Sequence, residues 1–241
     1  MRRLAIIAAW ALAVCLAVAG CTSTVGGTAL VGPGGRTPGA VTARGLAGLP
    51  LSLDEMTQLL KFSAMATEDI WTRPDARGTF EPAGCVGAVF SSMAGSYDDS
   101  GYRDFYEIRQ SDVTTGDVPH WVDQSVATFE SDSAAKVFVA KQVAQWRRCA
   151  GRQLEYAYPR PADRQDPYTI GDAIDSGCVT VISNVVVSDK RYTDIRELAA
   201  KSNVVVDLQF TGFDLTDEPA TAVNRILDRI ASQGHDCAFW G

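Results

Sequence analysis

The chain has 241 residues, of which 46% are hydrophobic and 21% charged, and its formal net charge is −7. That composition is globular and long enough for one good core or two small ones; it excludes collagen, wholesale disorder and a polytopic membrane protein. With 22 Lys plus Arg against 29 Asp plus Glu, the chain lacks the excess of basic residues that neutralises phosphates, so nucleic acid is not an expected partner.

Met1-Arg2-Arg3 is a positive start, followed by an unbroken apolar run of 16 residues from Leu4 to Ala19. A membrane span needs about 20 apolar residues, so the run reads as a secretory signal peptide over residues 1–20. It ends in Val18-Ala19-Gly20-Cys21, which resembles a bacterial lipobox, with Val18 where Leu is more usual. Small residues before the cysteine suit a lipoprotein signal peptidase, and Cys21 would carry the lipid anchor. Cys15 is the poorer candidate, because bulky Val14 precedes it. Residues 21–48 are rich in Gly, Thr, Ala and Pro and contain no aromatic residue. They read as a flexible tether that buries too little to offset its chain entropy. The first acidic residue is Asp54, and residues 1–53 hold four arginines and no lysine. The folded body, residues 49–241, therefore carries all the acids, which suits a domain held off an anionic surface. The expected location is the extracytoplasmic face of the cell membrane.

Ser52-Leu53-Asp54-Glu55 is a capping box, and Leu53, Met56, Leu60 and Ala64 follow on one helical face. Cys85 to Phe90 reads as a second, short helix. Tyr106 to Arg109 and Val122 to Phe129 read as strands. A helix starts at Ser131, with Ala135, Val139, Val143 and Trp146 as its buried stripe, Phe138 and Cys149 beside it, and Gly151 as its stop. Leu154 to Tyr158 is a further strand, residues 159–167 a loop, and Cys178 to Val187 a β-branched apolar strand. From Asn203 to Phe210, Val206, Leu208 and Phe210 alternate with Asp207 and Gln209. The last helix starts near Asp217, buries Val223, Ile226, Leu227 and Ile230, and ends by Gly234. Such an order predicts an α+β fold, an antiparallel sheet with helices packed on it. The segment from Ser188 to Ala200, rich in charge, is expected either as a surface flap or as a crossover helix lying on the sheet through Ile195, Leu198 and Ala199.

Removal of Cys15 and lipidation of Cys21 leave Cys85, Cys149, Cys178 and Cys237. In an oxidising compartment they read as two disulfides with three possible pairings. Signatures of a serine hydrolase, a zinc protease, a dinucleotide fold or a phosphate loop are absent, so no catalytic residue, cofactor or metal is expected. Of the two histidines, His120 and His235, each reads as structural. The acids at Asp98, Asp99 and Asp104 and at Asp172 and Asp175 read as solvated turns. Trp146 is expected in the core.

Several of these pieces together carry a resemblance. Leu51 to Glu55, Pro82 to Ala88, the block from Ala127-Thr128-Phe129 through Phe138 and Trp146 to Cys149-Ala150-Gly151, and Ser202 to Asp207 resemble the extracellular sensor domain of mycobacterial PknH-type receptor serine/threonine kinases. The resemblance implies an antiparallel sheet with packed helices, two disulfides, a ligand cleft and no enzymatic activity. It pairs Cys85 with Cys149 and leaves Cys178 to pair with Cys237. Two departures stand out. The family's fourth cysteine follows the Asn-Val-Val strand, where this chain has Thr211-Gly212, and Asn-Val-Val-Val occurs twice, at Asn184 and at Asn203. The expected function is a non-enzymatic, lipid-anchored binding module that takes a small molecule, a lipid or a cell-wall fragment. The alternatives are an interaction lipoprotein partnering another envelope protein and, third, a carboxylate-dependent envelope hydrolase.

Overall fold

The computed structural model describes residues 40–61, 65–112, 120–157 and 166–231. Cys21, His235, Cys237 and Trp240 lie outside these residues, as do the signal peptide and most of the expected tether. One antiparallel sheet organises the rest. In chain order its strands are β1 (Met65–Trp71), β2 (Thr79–Glu81), β3 (Asp104–Asp112), β4 (Trp121–Thr128), β5 (Gln153–Ala157), β6 (Tyr168–Thr169), β7 (Ile174–Ser176), β8 (Val179–Val186), β9 (Tyr192–Lys201) and β10 (Val204–Phe213). Their spatial order is β1-β3-β4-β10-β9-β8-β6-β5-β2, with β7 paired to β8. The helices are α1 (Ala43–Leu46), α2 (Leu53–Leu60), α3 (Val86–Val89), α4 (Ala94–Tyr97), α5 (Asp132–Cys149) and α6 (Glu218–Ala231). The expected α+β class with an antiparallel sheet is what the structure has.

Alternate residues of each strand face opposite sides, and the two sides have separate cores. On one side α5 packs through Ala135, Phe138, Val139, Val143 and Trp146. The expected N-cap is present, since the Ser131 hydroxyl accepts from the Ala134 N–H at 3.1 Å. The helix stops at Gly151, whose φ of +76° glycine adopts without strain. On the other side α2 and α6 cover Val122, Val126, Val206, Leu208 and Phe210 through Met56, Leu60, Val223, Ile226 and Ile230. The capping box of α2 is complete: Ser52 Oγ accepts from the Glu55 N–H, and Glu55 Oε2 accepts from the Ser52 N–H at 2.9 Å. Helix α2 ends at Leu60, followed by left-handed Lys61. The expected continuation to Ala64 falls on residues outside those described, and the next element is β1.

Two expectations need correction. The folded body begins before the boundary expected at residue 48: Val41 exchanges two hydrogen bonds with the Asn203 side chain, 2.8 and 3.1 Å, and Leu46 is buried. The segment from Ser188 to Ala200 is neither flap nor helix. Most of it is β9, an interior strand paired to β8 on one side and β10 on the other. Pairing on both sides, not helical spacing, sets its burial: Asp194 and Arg196 are buried against matching polar groups of the facing strands, and Glu197 is buried between Leu208 and Val181. Among the described residues one disulfide has both partners, Cys85–Cys149, which joins the start of α3 to the end of α5 as expected. Cys178 is also disulfide-bonded.

Candidate functional site

Two polar assemblies lie on opposite faces of the sheet. On the α5 face, β9 presents Asp194 and Arg196, β10 presents Asp207, Gln209 and Thr211, β4 presents Asp123 and Ser125, and β3 presents Glu107 and Arg109. Register sets them in rows: Arg196 lies opposite Gln209, Gln209 opposite Asp123, and Asp123 opposite Arg109. Arg196 is 1% exposed, and each of its three guanidinium nitrogens donates a hydrogen bond. Its Nε donates to the Leu208 carbonyl at 3.0 Å and one terminal nitrogen to the Gly87 carbonyl at 2.7 Å. The other terminal nitrogen pairs with Asp207, and the guanidinium lies 5.2 Å from the centre of the Trp146 ring. The second oxygen of Asp207 accepts from the Ser92 N–H at 3.2 Å and from the Tyr97 hydroxyl at 3.1 Å. One ion pair thus fastens the loop after α3, the helix α4 and the helix α5 to the middle of the sheet.

The flanking acids are buried with it. Asp194 accepts from Asn184, Gln209 and Thr211, yet burial raises its pKa to about 6. Burial, with the Asp123 carboxylate as the next contributor, holds the Glu107 carboxyl well above the usual range. Arg109 forks onto Asp123, with Nη2···Oδ2 at 2.9 Å, and lies over Trp71 at 4.9 Å. The ionised groups here are engaged with one another, so this assembly fastens the fold. Sequence reading missed it. The available signal was the i, i+2 spacing of Asp194 and Arg196, which matches that of Asp207 and Gln209.

The opposite face holds a groove of about 350 Å³, between the strap from Ala47 to Ser52, Glu55 of α2, Tyr106 and Ile108 of β3, and Arg229 of α6. The strap is fixed from below by the Gln124 amide, which accepts from the Leu51 N–H at 2.8 Å and donates to the Leu51 carbonyl at 3.1 Å. It is fixed from above by Arg229, which donates to the carbonyls of Leu49 and Pro50 and pairs with Glu55. The Arg229 hydrogen bond, with the Ser52 N–H next, lowers the Glu55 pKa to about 2. A guanidinium has five N–H donors, and Arg229 uses three of them among the described residues. Tyr106 and Ile108 alternate with the buried Phe105 and Glu107, which places them on the groove side of β3. This clustering of distant segments was not visible in the sequence.

The other expected residues fall elsewhere. His120 Nε2 lies 3.2 Å from the Phe213 carbonyl, and a Cβ on Gly212 would come within 2.0 Å of the imidazole, so that glycine makes room for the ring. Asp104 accepts from the Thr128 hydroxyl at 2.9 Å. Asp175 pairs with Arg147 at 2.6 Å and accepts from Thr180 at 2.8 Å. Neither acidic turn meets the groove. No group of three or more His, Cys, Asp or Glu among the described residues is placed to hold a metal ion. Trp146 is in the core, 1% exposed.

The chain matches the family model of the PknH-like extracellular domain over residues 41–233. It is 25% identical over 195 residues to the serine/threonine-protein kinase PknH of Mycobacterium bovis, covering 80% of this chain and 32% of the kinase. It is 26% identical over 175 residues to the serine/threonine-protein kinase PknJ of Mycobacterium tuberculosis, covering 71% of this chain and 29% of that kinase. The chain thus spans about a third or less of the length of these relatives. The crystal structure of the extracellular domain of PknH from Mycobacterium tuberculosis superimposes with a TM-score of 0.71 at 24% identity, covering 79% of this chain and 97% of that one, which establishes the shared fold. On the family match, which takes in both polar assemblies and every described helix and strand, the chain belongs to the PknH-like extracellular domain family.

Proposed function

We propose that this protein is a non-catalytic, extracytoplasmic sensor-type module, held to the cell membrane by lipid on Cys21, that binds a small molecule, a lipid or a cell-wall fragment in a cleft. One observation carries the reading: a domain of an extracellular family begins at residue 41, some twenty residues after a basic start, an apolar run and a cysteine preceded by Ala19-Gly20. No helix among the described residues is long and apolar enough to cross a membrane, and the lipid supplies the attachment. A single acyl chain binds membranes marginally, whereas the two or three of a lipoprotein hold it stably. A second disulfide, Cys178–Cys237, belongs to the same proposal; it would fasten β8 to the chain beyond α6. Of the two polar assemblies, the one on the α2–α6 face borders an open groove, and we place the cleft there.

Fractionation of cells tests the anchor. The full chain should stay with membranes through a carbonate wash and incorporate labelled palmitate, and the Cys21→Ala chain should do neither. A Cys21→Ala chain that remains in the washed membranes refutes the lipid anchor.

A further inference from the structure

We propose that the groove between the 47–52 strap, β3 and α6 binds a small amphipathic anion, a carboxylate or phosphate head on an apolar body, with the head on Arg229 and the body on Ile108. This rests on the reading of the chain as a binding module and assigns its ligand class. Hydrogen-bonding capacity around the groove is lopsided. Both Glu55 oxygens are occupied, Oε1 by Arg229 and Oε2 by the Ser52 N–H at 2.9 Å and hydroxyl at 2.8 Å. The carbonyls of Leu49 and Pro50 are taken by Arg229. Among the side chains that line the groove, what is left over is donors. Two of the five Arg229 N–H groups have no partner among the described residues, although the side chain is 29% exposed. The Tyr106 hydroxyl, which can donate as well as accept, makes no hydrogen bond there either, while its residue lines the groove. Spare side-chain donors beside an engaged carboxylate favour a ligand group rich in acceptors, and a planar guanidinium suits a carboxylate or phosphate.

The body of the ligand is set by the floor. Half-buried Ile108 faces the groove, and its register partner Ile70 on the edge strand β1 lies on the same side of the sheet, 55% exposed. The apolar surface therefore runs from the groove out to the sheet edge. A volume of about 350 Å³ is at the low end of small-ligand sites, roughly 300–1,000 Å³, which fits a short chain or one ring and excludes a folded polymer. Glu55 stays ionised and holds Arg229 through one of its terminal nitrogens.

Heteronuclear NMR titration of the full Cys21→Ala chain tests this with octanoate, octyl phosphate and octanol. The two anions should bind saturably, shifting the amides of residues 47–52 and 106–108, and octanol should bind about tenfold more weakly, a difference of about 1.4 kcal/mol. The octanoate and octyl phosphate arms tell which head the site takes. Ala47→Trp places a bulky ring at an exposed position of the rim, and should abolish binding with an unchanged melting temperature; Tyr106→Phe should weaken it severalfold. Octanol binding as well as octanoate removes Arg229 as the head-group site. Anion shifts confined to other surfaces, or no saturable shift with any probe, overturn the groove assignment. The membrane-fractionation result is independent of each of these outcomes, so the lipoprotein reading and the ligand class fail separately.

Discussion

Glu197 offers the sharpest quantitative test of how this fold handles charge. It sits on β9 between Leu208 and Val181, on the side facing α6, with Ile195 and Ala199 as its same-face neighbours. The residue is 1% exposed, and its Oε2 has no hydrogen-bond partner. Burial alone raises its pKa from 4.5 to about 8. A carboxyl whose folded pKa exceeds its unfolded value loses its proton first in the unfolded chain. Its contribution to stability is therefore intact below about pH 4.5, declines as pH rises between the two values, and levels off above about pH 8. A tenfold difference in proton affinity between the folded and unfolded chains is worth about 1.36 kcal/mol, and integration of the two titrations between pH 5 and pH 8 gives a loss of about 3 kcal/mol. Glu197→Gln removes the titration and keeps the shape. Urea unfolding of both chains at pH 5 and pH 8 should show the variant gaining about 3 kcal/mol on the wild type at the higher pH. Parallel pH profiles for the two chains would refute the buried, uncompensated carboxyl.

Two further outcomes follow from the same structure. Arg196→Met should cost about 3–5 kcal/mol in urea unfolding, because Asp207 is left buried without its cation, and the double variant Arg196→Met, Asp207→Leu should recover much of that loss; a single variant as stable as the wild type would show that the ion pair does not hold the α3 loop. Non-reducing peptide mapping should recover Cys85 joined to Cys149 and Cys178 joined to Cys237, and a Cys178 peptide linked to Cys15 or Cys21 would overturn the second pairing.

Much of the fold was legible because local and tertiary preferences agree. The Ser52 and Ser131 caps, the buried stripe of α5 and that of α6 each state a helix in local terms, with spacing that matches the 3.6-residue turn. Strands β4, β8 and β10 carry runs of β-branched residues, and the resemblance across Cys85 and Cys149 anticipated their disulfide. The proposed N-terminal address rests on a pattern of charge, apolar length and a cysteine, and fractionation of the Cys21→Ala chain tests it. Strand β1 escaped because an edge strand buries little: of its seven residues only Met65 is buried, so it shows no apolar alternation.

Where the sequence misleads, the missing information lies in another strand. Asp194, Arg196 and Glu197 read as solvent-facing, since a charge without a partner cannot be buried cheaply. Only the pairing of β9 between β8 and β10 brings Asn184, Asp207, Gln209 and the Gly87 carbonyl to Asp194 and Arg196. The groove has the same origin. Its strap, its floor and its arginine lie at residues 47–52, 106–108 and 229, and their meeting depends on α6 packing back across the sheet against α2. The sequence by itself determined the helices and the interior strands of plain apolar pattern. Tertiary structure alone decided which charges are buried and which donors remain free, because the partner that satisfies a polar group is set by strand register and helix packing, and neither is written in the residues next to it.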